Sequence, residues 1–459
     1  MLAYEEKVKT FIHRHQLIEK GDIIAVGVSG GPDSLSLLAY LADRRQSLAI
    51  EVCALHLDHM FRGEESYSEL KFVEHFCIER NIPFYSEQID VAKEMEVSGE
   101  GLQEAARRVR YDFFKRGMER MKAGKLALAH HGDDQVETVL MQMTRGGNPQ
   151  GIPVRRPFGE KEIIRPLLGL DKETIERYCA HYKLNPRRDP SNEKADYTRN
   201  RFRHVVLPFL KKENPQVHEH FQRFSEEERA DRLLLDELAR EEMSKVWRRN
   251  KHESVLDIKP FLAMPLPLQR RGIHLILNYL YKDKTPFSFI HIQQILQLLK
   301  QEKSSWTLDL PHGLKVCREY QVCVFRFSQA EAQDYAFELN VGEQISWPYG
   351  GEFTLSRNDS ENRDKESCFV LSSQVKLPLC IRTRRQGDRI HPKGMDGSKK
   401  LKDLFIDEKV PLSKRMQWPI VTDHEGKLIW VPGLKRSRYE QTGLTDGQVF
   451  LFYTSSNHF

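Results

Sequence analysis

Asp22-Ile-Ile-Ala-Val-Gly-Val-Ser29-Gly-Gly-Pro-Asp-Ser34 decides the fold. Its first half is a short apolar run rich in β-branched residues, the composition of a parallel strand covered on both faces. Leu35 to Arg45 continues as a helix-forming stretch. A strand, a glycine turn and a helix in direct succession make an anion cradle. Gly30 and Gly31 allow positive φ and a close approach of phosphate to the backbone. The free N–H groups that open the helix, together with its dipole, favour negative charge there. Ser29 and Ser34 add hydroxyl donors on either side of Pro32. Asp33 would repel a phosphate, so its sensible role is to hold Mg²⁺, which then offsets the phosphate charge.

Working outward, the same alternation recurs. Strands are expected at Ala49–His56, Pro83–Asp90 and Lys125–His130, and helices at Tyr67–Arg80, Leu102–Met121 and Asp133–Thr144. Strands alternating with helices predict an α/β domain with a doubly wound, mostly parallel sheet, whose ligands sit at the carboxyl ends of the strands. From Ser225 to Arg249 the composition turns to charged helix. Two more helical patterns follow within Lys259–Lys300, then strand-like Leu314–Cys317 and Val322–Phe325. The domain plan read from this is a catalytic domain at 1–212, a helical connector at 213–250, a mainly helical middle domain at 251–345 and a small basic α+β domain at 375–459. Asp359 to Glu366 is polar and linker-like.

The 459 residues leave room for about two to four domains. Hydrophobic residues make up 39% and charged residues 30%, as in an ordinary soluble protein. No run approaches the roughly 18 apolar residues of a membrane span, and Met1 to Lys20 lacks a signal-peptide core, so a cytoplasmic protein with no membrane partner is expected. The seven scattered cysteines form no C-x-x-C pair, which fits reduced thiols and argues against a cysteine-held zinc or iron–sulfur centre. The net charge of +5 is unevenly spread: Ile381 to Arg438 holds fifteen Lys/Arg against seven Asp/Glu. A local basic patch suits a nucleic-acid phosphate backbone, with a solvated surface as the plainer explanation.

Two further motifs stand at expected strand ends. His56-Leu-Asp-His59 closes the second strand, on the edge that faces a nucleotide in such sheets. His130-His-Gly-Asp-Asp-Gln-Val-Glu137 closes the fourth and opens a helix. Acids in a first helical turn are favoured by the dipole, so capping alone accounts for some of them. Asp134 and Glu137, three apart, share a helix face. Three carboxylates and a histidine there are more than capping needs; they suit Mg²⁺ or an ammonium-bearing substrate.

Together these residues resemble known enzymes. Ser29-Gly-Gly-Pro-Asp-Ser34 lacks the Walker A pattern and resembles the S-G-G-x-D-S loop of ATP pyrophosphatases, which leave AMP on an acceptor. With His56 to Arg62, Ala129 to Thr138, Arg145-Gly146, Arg165-Pro-Leu-Leu168, Asp189-Pro-Ser-Asn192 and Arg199-Asn-Arg-Phe-Arg203 in order, the first 210 residues resemble the tRNA(Ile)-lysidine synthetase family. Ile381 to Arg389 and Lys399 to Phe405 resemble its C-terminal domain. Gly147 to Val154 departs from the family's glycine-rich run, which leaves that loop's shape open. The resemblance implies that ATP, free L-lysine and a tRNA(Ile) with a CAU anticodon give lysidine, AMP and pyrophosphate. It implies Ser29, Gly30, Gly31, Pro32, Asp33, Ser34, His56 and Asp58 for ATP, and Asp33 for Mg²⁺. It assigns Asp134 and Glu137, with His130 nearby, to lysine. Arg107, Arg110, Arg201, Arg203, Arg382, Arg384, Arg385, Lys399, Lys400 and Lys402 are implied for RNA. The oligomeric state is open, and a homodimer is compatible.

Three rivals remain. A tRNA-thiolating pyrophosphatase often needs paired cysteines, which are missing. An amide transfer of the GMP-synthetase kind lacks a glutaminase signature ahead of the loop. A non-catalytic RNA-binding protein would not need loop, acids and arginines together.

Overall fold

The computed structural model describes residues 3–60, 63–147, 149–187, 198–250, 253–282, 288–303, 305–327, 333–357, 368–441 and 448–454. The Asp189–Asn192 motif, Arg62 and the Asp359–Glu366 linker lie outside the described residues. The chain forms two compact units, Met1–Leu234 and Leu235–Phe459.

The first unit is built on β1 (Ile23–Gly27), β2 (Glu51–Asp58), β3 (Phe84–Gln88), β4 (Lys125–Ala127), β5 (Arg155–Phe158) and β6 (Lys161–Ile164). Their order is β3-β2-β1-β4-β6-β5. All neighbours are parallel except the β5–β6 hairpin. The helices are α1 (Ala3–Arg14), α2 (Pro32–Asp43), α3 (Arg45–Leu48), α4 (Glu64–Glu79), α5 (Val91–Ser98), α6 (Leu102–Arg120), α7 (Gly132–Thr144), α8 (Lys172–His181), α9 (Thr198–Arg201), α10 (Leu207–Glu213) and α11 (Val217–Val246), with a π turn at Phe202–Val206 between α9 and α10.

The strands alternate sides, as a period of two requires. Ile24, Val26, Val52 and Ala54 join one core with Leu35, Leu38, Val73 and Tyr178. Ala25, Cys53, Leu55 and Leu126 join another with Phe113, Phe114 and Met118 of α6. Helices on both faces make the sheet doubly wound, and its direction of winding switches between β1 and β4, where a ligand crevice is expected.

Two details differ from the sequence reading. The fourth strand ends at Ala127, not His130: Leu128 N–H still pairs with Ile164 O, but Gly132 N–H is drawn to Leu170 O at 2.7 Å and the chain turns into α7. The β5–β6 hairpin was not foreseen, because Arg155, Arg156, Lys161 and Glu162 give an edge strand little apolar signal.

In the second unit, an antiparallel sheet runs in the order Trp247–Arg249, Glu253–Asp257, Val322–Phe327, Leu314–Glu319, Ser305–Asp309. Helices Ile258–Ala263, Leu266–Tyr281 and Phe289–Leu299 share a core with it through Phe261, Ile276, Ile295 and Phe325. Two further sheets follow, of seven and four strands. Ala336–Leu339 pairs with Leu379–Arg382, and Glu352–Ser356 with Phe450–Thr454. Ala336–Leu339 therefore shares a sheet with strands after residue 375, while Gln344–Ser346 pairs with its neighbour Glu352–Ser356. No helix among the described residues is long and apolar enough to cross a membrane.

Candidate active site

The phosphate loop leaves β1 at the switch point. Gly30 takes φ +84°, a conformation that costs an L side chain dearly. Gly31 is the N-cap of α2 and Pro32 sits in its first turn, where a missing N–H costs nothing. Ser34 Oγ accepts from Ser29 N–H at 3.1 Å and lies 3.2 Å from Ser29 Oγ. The loop is thus tied across its mouth by the two serines expected to meet phosphate. Asp33 lies at the same opening, where Lys172 Nζ donates to its Oδ1 at 2.5 Å.

His56 and Asp58 end β2 beside the loop, both buried. His56 Nδ1 lies 2.9 Å from Val28 O, while its Nε2 has no hydrogen-bond partner. Burial pushes the imidazole below its usual pKa. Asp58 accepts from Met60 N–H at 2.8 Å and Gln88 Nε2 at 2.9 Å. Its carboxylate braces the strand end.

Across the switch point, His131 caps α7 in a capping box with Asp134, whose Oδ2 accepts from His131 N–H at 3.0 Å. Asp133, Asp134 and Glu137 are all buried. The sequence placed all three at a strand end, and the structure gives them different partners. Asp133 Oδ2 accepts from Lys211 Nζ at 2.6 Å and Lys172 N–H at 3.2 Å. Asp134 and Glu137 receive two arginines. Arg199 Nε donates to Glu137 Oε2, and its Nη2 to Asp134 Oδ1, both at 2.7 Å. Arg203 Nε donates to Glu137 Oε1 at 2.7 Å, and its Nη2 to Asp134 Oδ1 at 3.2 Å. Burial alone would raise the Asp134 pKa; the charges of His131, Arg199 and His130 and the His131 N–H outweigh it and hold the carboxyl well below its usual range. Burial also lowers His130 to about 4, against the pull of Asp134. At neutral pH the site therefore holds an ionised carboxylate beside an uncharged imidazole.

Several expected RNA contacts are spent within the protein. Arg203 lies on the carboxylate pair instead of facing outward. Arg382 is buried and bidentate with Asp388, at 2.9 and 2.7 Å, so it braces its loop and offers no free charge. Lys399 pairs with Asp407. Arg107, Arg110, Arg385, Lys400 and Lys402 are exposed, and Arg384 is half-buried. Arg201 is exposed too and donates to Thr198 Oγ1 at 3.1 Å. Sequence reasoning left Arg199 without a role, although it stands in the quoted Arg199–Arg203 motif four residues before Arg203. It also passed over Lys172, Lys211 and His131. For Lys172, the one local signal is its place directly after the Asp171 N-cap of α8.

Residues 2–210 match a PP-loop domain, residues 256–324 a TilS substrate binding domain and residues 379–448 a TilS substrate C-terminal domain. The tRNA(Ile)-lysidine synthase of Geobacillus kaustophilus is 46% identical over 445 residues, covering 95% of this chain and 96% of its own length. The chain belongs to the tRNA(Ile)-lysidine synthase family. The Bacillus subtilis synthase is likewise 46% identical, over 95% of this chain and 94% of its own. A solved TILS C-terminal domain is 38% identical, covering 28% of this chain and 100% of that one, with a TM-score of 0.26. As a member of this synthase family the chain is an enzyme that uses ATP and acts on tRNA.

Proposed function

We propose that the chain uses ATP to adenylate the wobble cytidine of a tRNA(Ile) bearing CAU, and then joins free L-lysine to C2 of that base. The observation that carries this reading is the meeting of two unlike sites at one switch point. A phosphate loop ends β1, and the buried Asp134–Glu137 pair lies one strand away on α7.

The cytidine O2 attacks the α phosphorus, and pyrophosphate leaves. The lysine ε-amine then forms the C2–N bond, AMP departs with O2, and the amine loses its proton. Holding three reactants in line is the main task. The N–H groups of the loop and the Ser29 and Ser34 hydroxyls bind phosphate oxygens and stabilise charge that develops there. Asp33, paired with Lys172 in this structure, would be the carboxylate at the loop that holds Mg²⁺. Among the described residues no group of three or more His, Cys, Asp or Glu forms a ready cage. When bound, the ion would screen the phosphate charge. Asp134 and Glu137 receive ammonium groups of lysine, which must displace Arg199 and Arg203 from them, and uncharged His130 does not repel those groups. The attacking amine must be neutral, and desolvation beside the adenylate lowers its pKa. Arg107, Arg110, Arg201, Arg384, Arg385, Lys400 and Lys402 are the RNA contacts of this reading. Its substrate places the enzyme in the cytoplasm, and nothing in the scheme requires a second copy.

The test is incubation with Mg-ATP, radiolabelled lysine and unmodified tRNA(Ile) transcript. Acid-precipitable label that needs ATP and is absent with tRNA(Met) is the expected result. AMP release dependent on tRNA, without label, overturns lysine as the nucleophile. Absence of both label and AMP overturns the proposed adenylation and ligation.

A further inference from the structure

Tyr111 stands on α6 one turn after Arg107, whose guanidinium carbon lies 4.9 Å from the ring centre. Arg156, on the edge strand β5, lies 5.2 Å from the same ring. Arg165, directly after β6, is only 3% exposed. Its Nη1 donates to Pro153 O at 2.6 Å, while its Nε and the Nε of Arg156 are buried without a partner. Arg229 on α11 completes the group: its charge, with those of Arg156 and Arg107, acts on Arg165. Burial and these like charges, outweighing Tyr111, pull Arg165 down to about 10.

Neighbouring arginines are treated differently. Arg155 is bidentate with Glu162 at 2.6 and 2.8 Å, Arg116 holds Glu87 and Arg108 holds Glu100. Among the described residues, no carboxylate is at ion-pair distance from any of the four. Glu228, beside Arg229, is the acid that acts on the group. Four guanidinium groups with Glu228 as a nearby acid but with no ion pair repel one another and leave buried donors unmet, which costs stability unless a further anion joins them.

The geometry points to a phosphodiester-binding subsite: Arg107 and Arg156 against Tyr111, with Arg165 and Arg229 beside them, take the backbone of a single-stranded RNA segment next to the reacting nucleotide. This rests on the reading that the chain modifies tRNA. Arg165 lies close enough to His130 for its charge to act there, so the subsite lies on the His130 side of the site. It is too far from the loop for the ATP phosphates. β5 is three strands from β1, or about 14 Å at the usual strand spacing. Arg also suits bidentate contact with phosphate.

The test uses the full chain with Arg156→Gln and Arg229→Gln, whose side chains are half-buried and so tolerate substitution better than Arg165. Affinity for unmodified tRNA(Ile) transcript is measured by fluorescence anisotropy over a salt series, alongside KM for ATP. Each variant should bind RNA about tenfold more weakly, and its salt slope should fall by about 0.7, the share of one single-strand phosphate contact. KM for ATP should stay within twofold. A raised KM for ATP with unchanged RNA affinity would assign the cluster to nucleotide phosphates and overturn the inference. Unchanged values for both, with melting temperatures intact, would also overturn it. Failure of the parent chain to bind the tRNA at all would instead sink the reading on which the inference rests.

Discussion

Glu137→Gln isolates the charge of the carboxylate pair. The Glu137 side chain is fully buried and accepts from Arg199 Nε and from Arg203 Nε and Nη2, at 2.7, 2.7 and 3.1 Å. Glutamine keeps the shape but turns one acceptor into an amide donor that faces a guanidinium. Breaking a buried ion pair costs about 3–5 kcal/mol. Here the Arg199 and Arg203 side chains are 43% and 32% exposed and regain water, so about 2 kcal/mol is a better figure. That lowers the melting temperature by about 4–8 °C in a unit of this size. A charged hydrogen bond to an ammonium group is worth about 1.5–3 kcal/mol. At about 1.4 kcal/mol per decade, the KM for lysine should rise roughly 10- to 100-fold. The assay is incorporation of labelled lysine into tRNA at saturating ATP, with lysine titrated, beside a thermal melt. A lysine KM within twofold of the parent, in a folded variant, would refute the assignment. So would an equal rise in the KM for ATP.

Asp33→Asn should cut turnover at least 100-fold while leaving tRNA affinity within twofold; an unchanged rate over a Mg²⁺ titration would remove Asp33 from the phosphate site. Gly132→Ala places a Cβ 2.9 Å from both His218 Cβ and Leu170 O, so it should cost about 1–3 kcal/mol and lower kcat by shifting the start of α7; full activity with an unchanged melt would contradict this packing. Neutralising Arg384 and Arg385 should raise the KM for tRNA more than that for ATP, and equal effects would count against their placement. His130 has a pKa of about 4 in the fold against 6.5 for the free side chain. The unfolded chain thus binds more protons between those values, and up to about 3 kcal/mol of stability present above pH 6.5 is lost as pH falls toward 4. The melting temperature of His130→Gln should depend less steeply on pH in that window; coincident slopes would show that His130 is not buried in its neutral form.

What the sequence reveals depends on how far apart interacting residues lie. The strands at Ile23–Gly27 and Glu51–Asp58 are continuous apolar runs, so their burial on two faces is written locally. Asp134 and Glu137 are three apart on a helix, and their common face follows from its period. The arginines that meet them, Arg199 and Arg203, come from more than sixty residues away, and no local pattern announces a contact across that interval. For the same reason Arg203 reads as a free charge until its carboxylates are seen, whereas Arg382 has its partner Asp388 only six residues on. Ala336–Leu339 and Glu352–Ser356 are short and pair with strands Leu379–Arg382 and Phe450–Thr454, a link that no local pattern shows.

The π turn at Phe202–Val206 sets the phase of the wall that carries Arg199, Arg203 and Lys211. A π turn takes up one residue more than an α turn, and in an α-helix one residue is worth about 100° of rotation. Arg199 and Arg203 precede or lie within the turn and reach Glu137, while Lys211 follows it and reaches Asp133. Losing a single residue here would leave the composition almost untouched and swing Lys211 away by more than a quarter of a revolution. This short segment should therefore tolerate exchange of side chains far better than any change in its length.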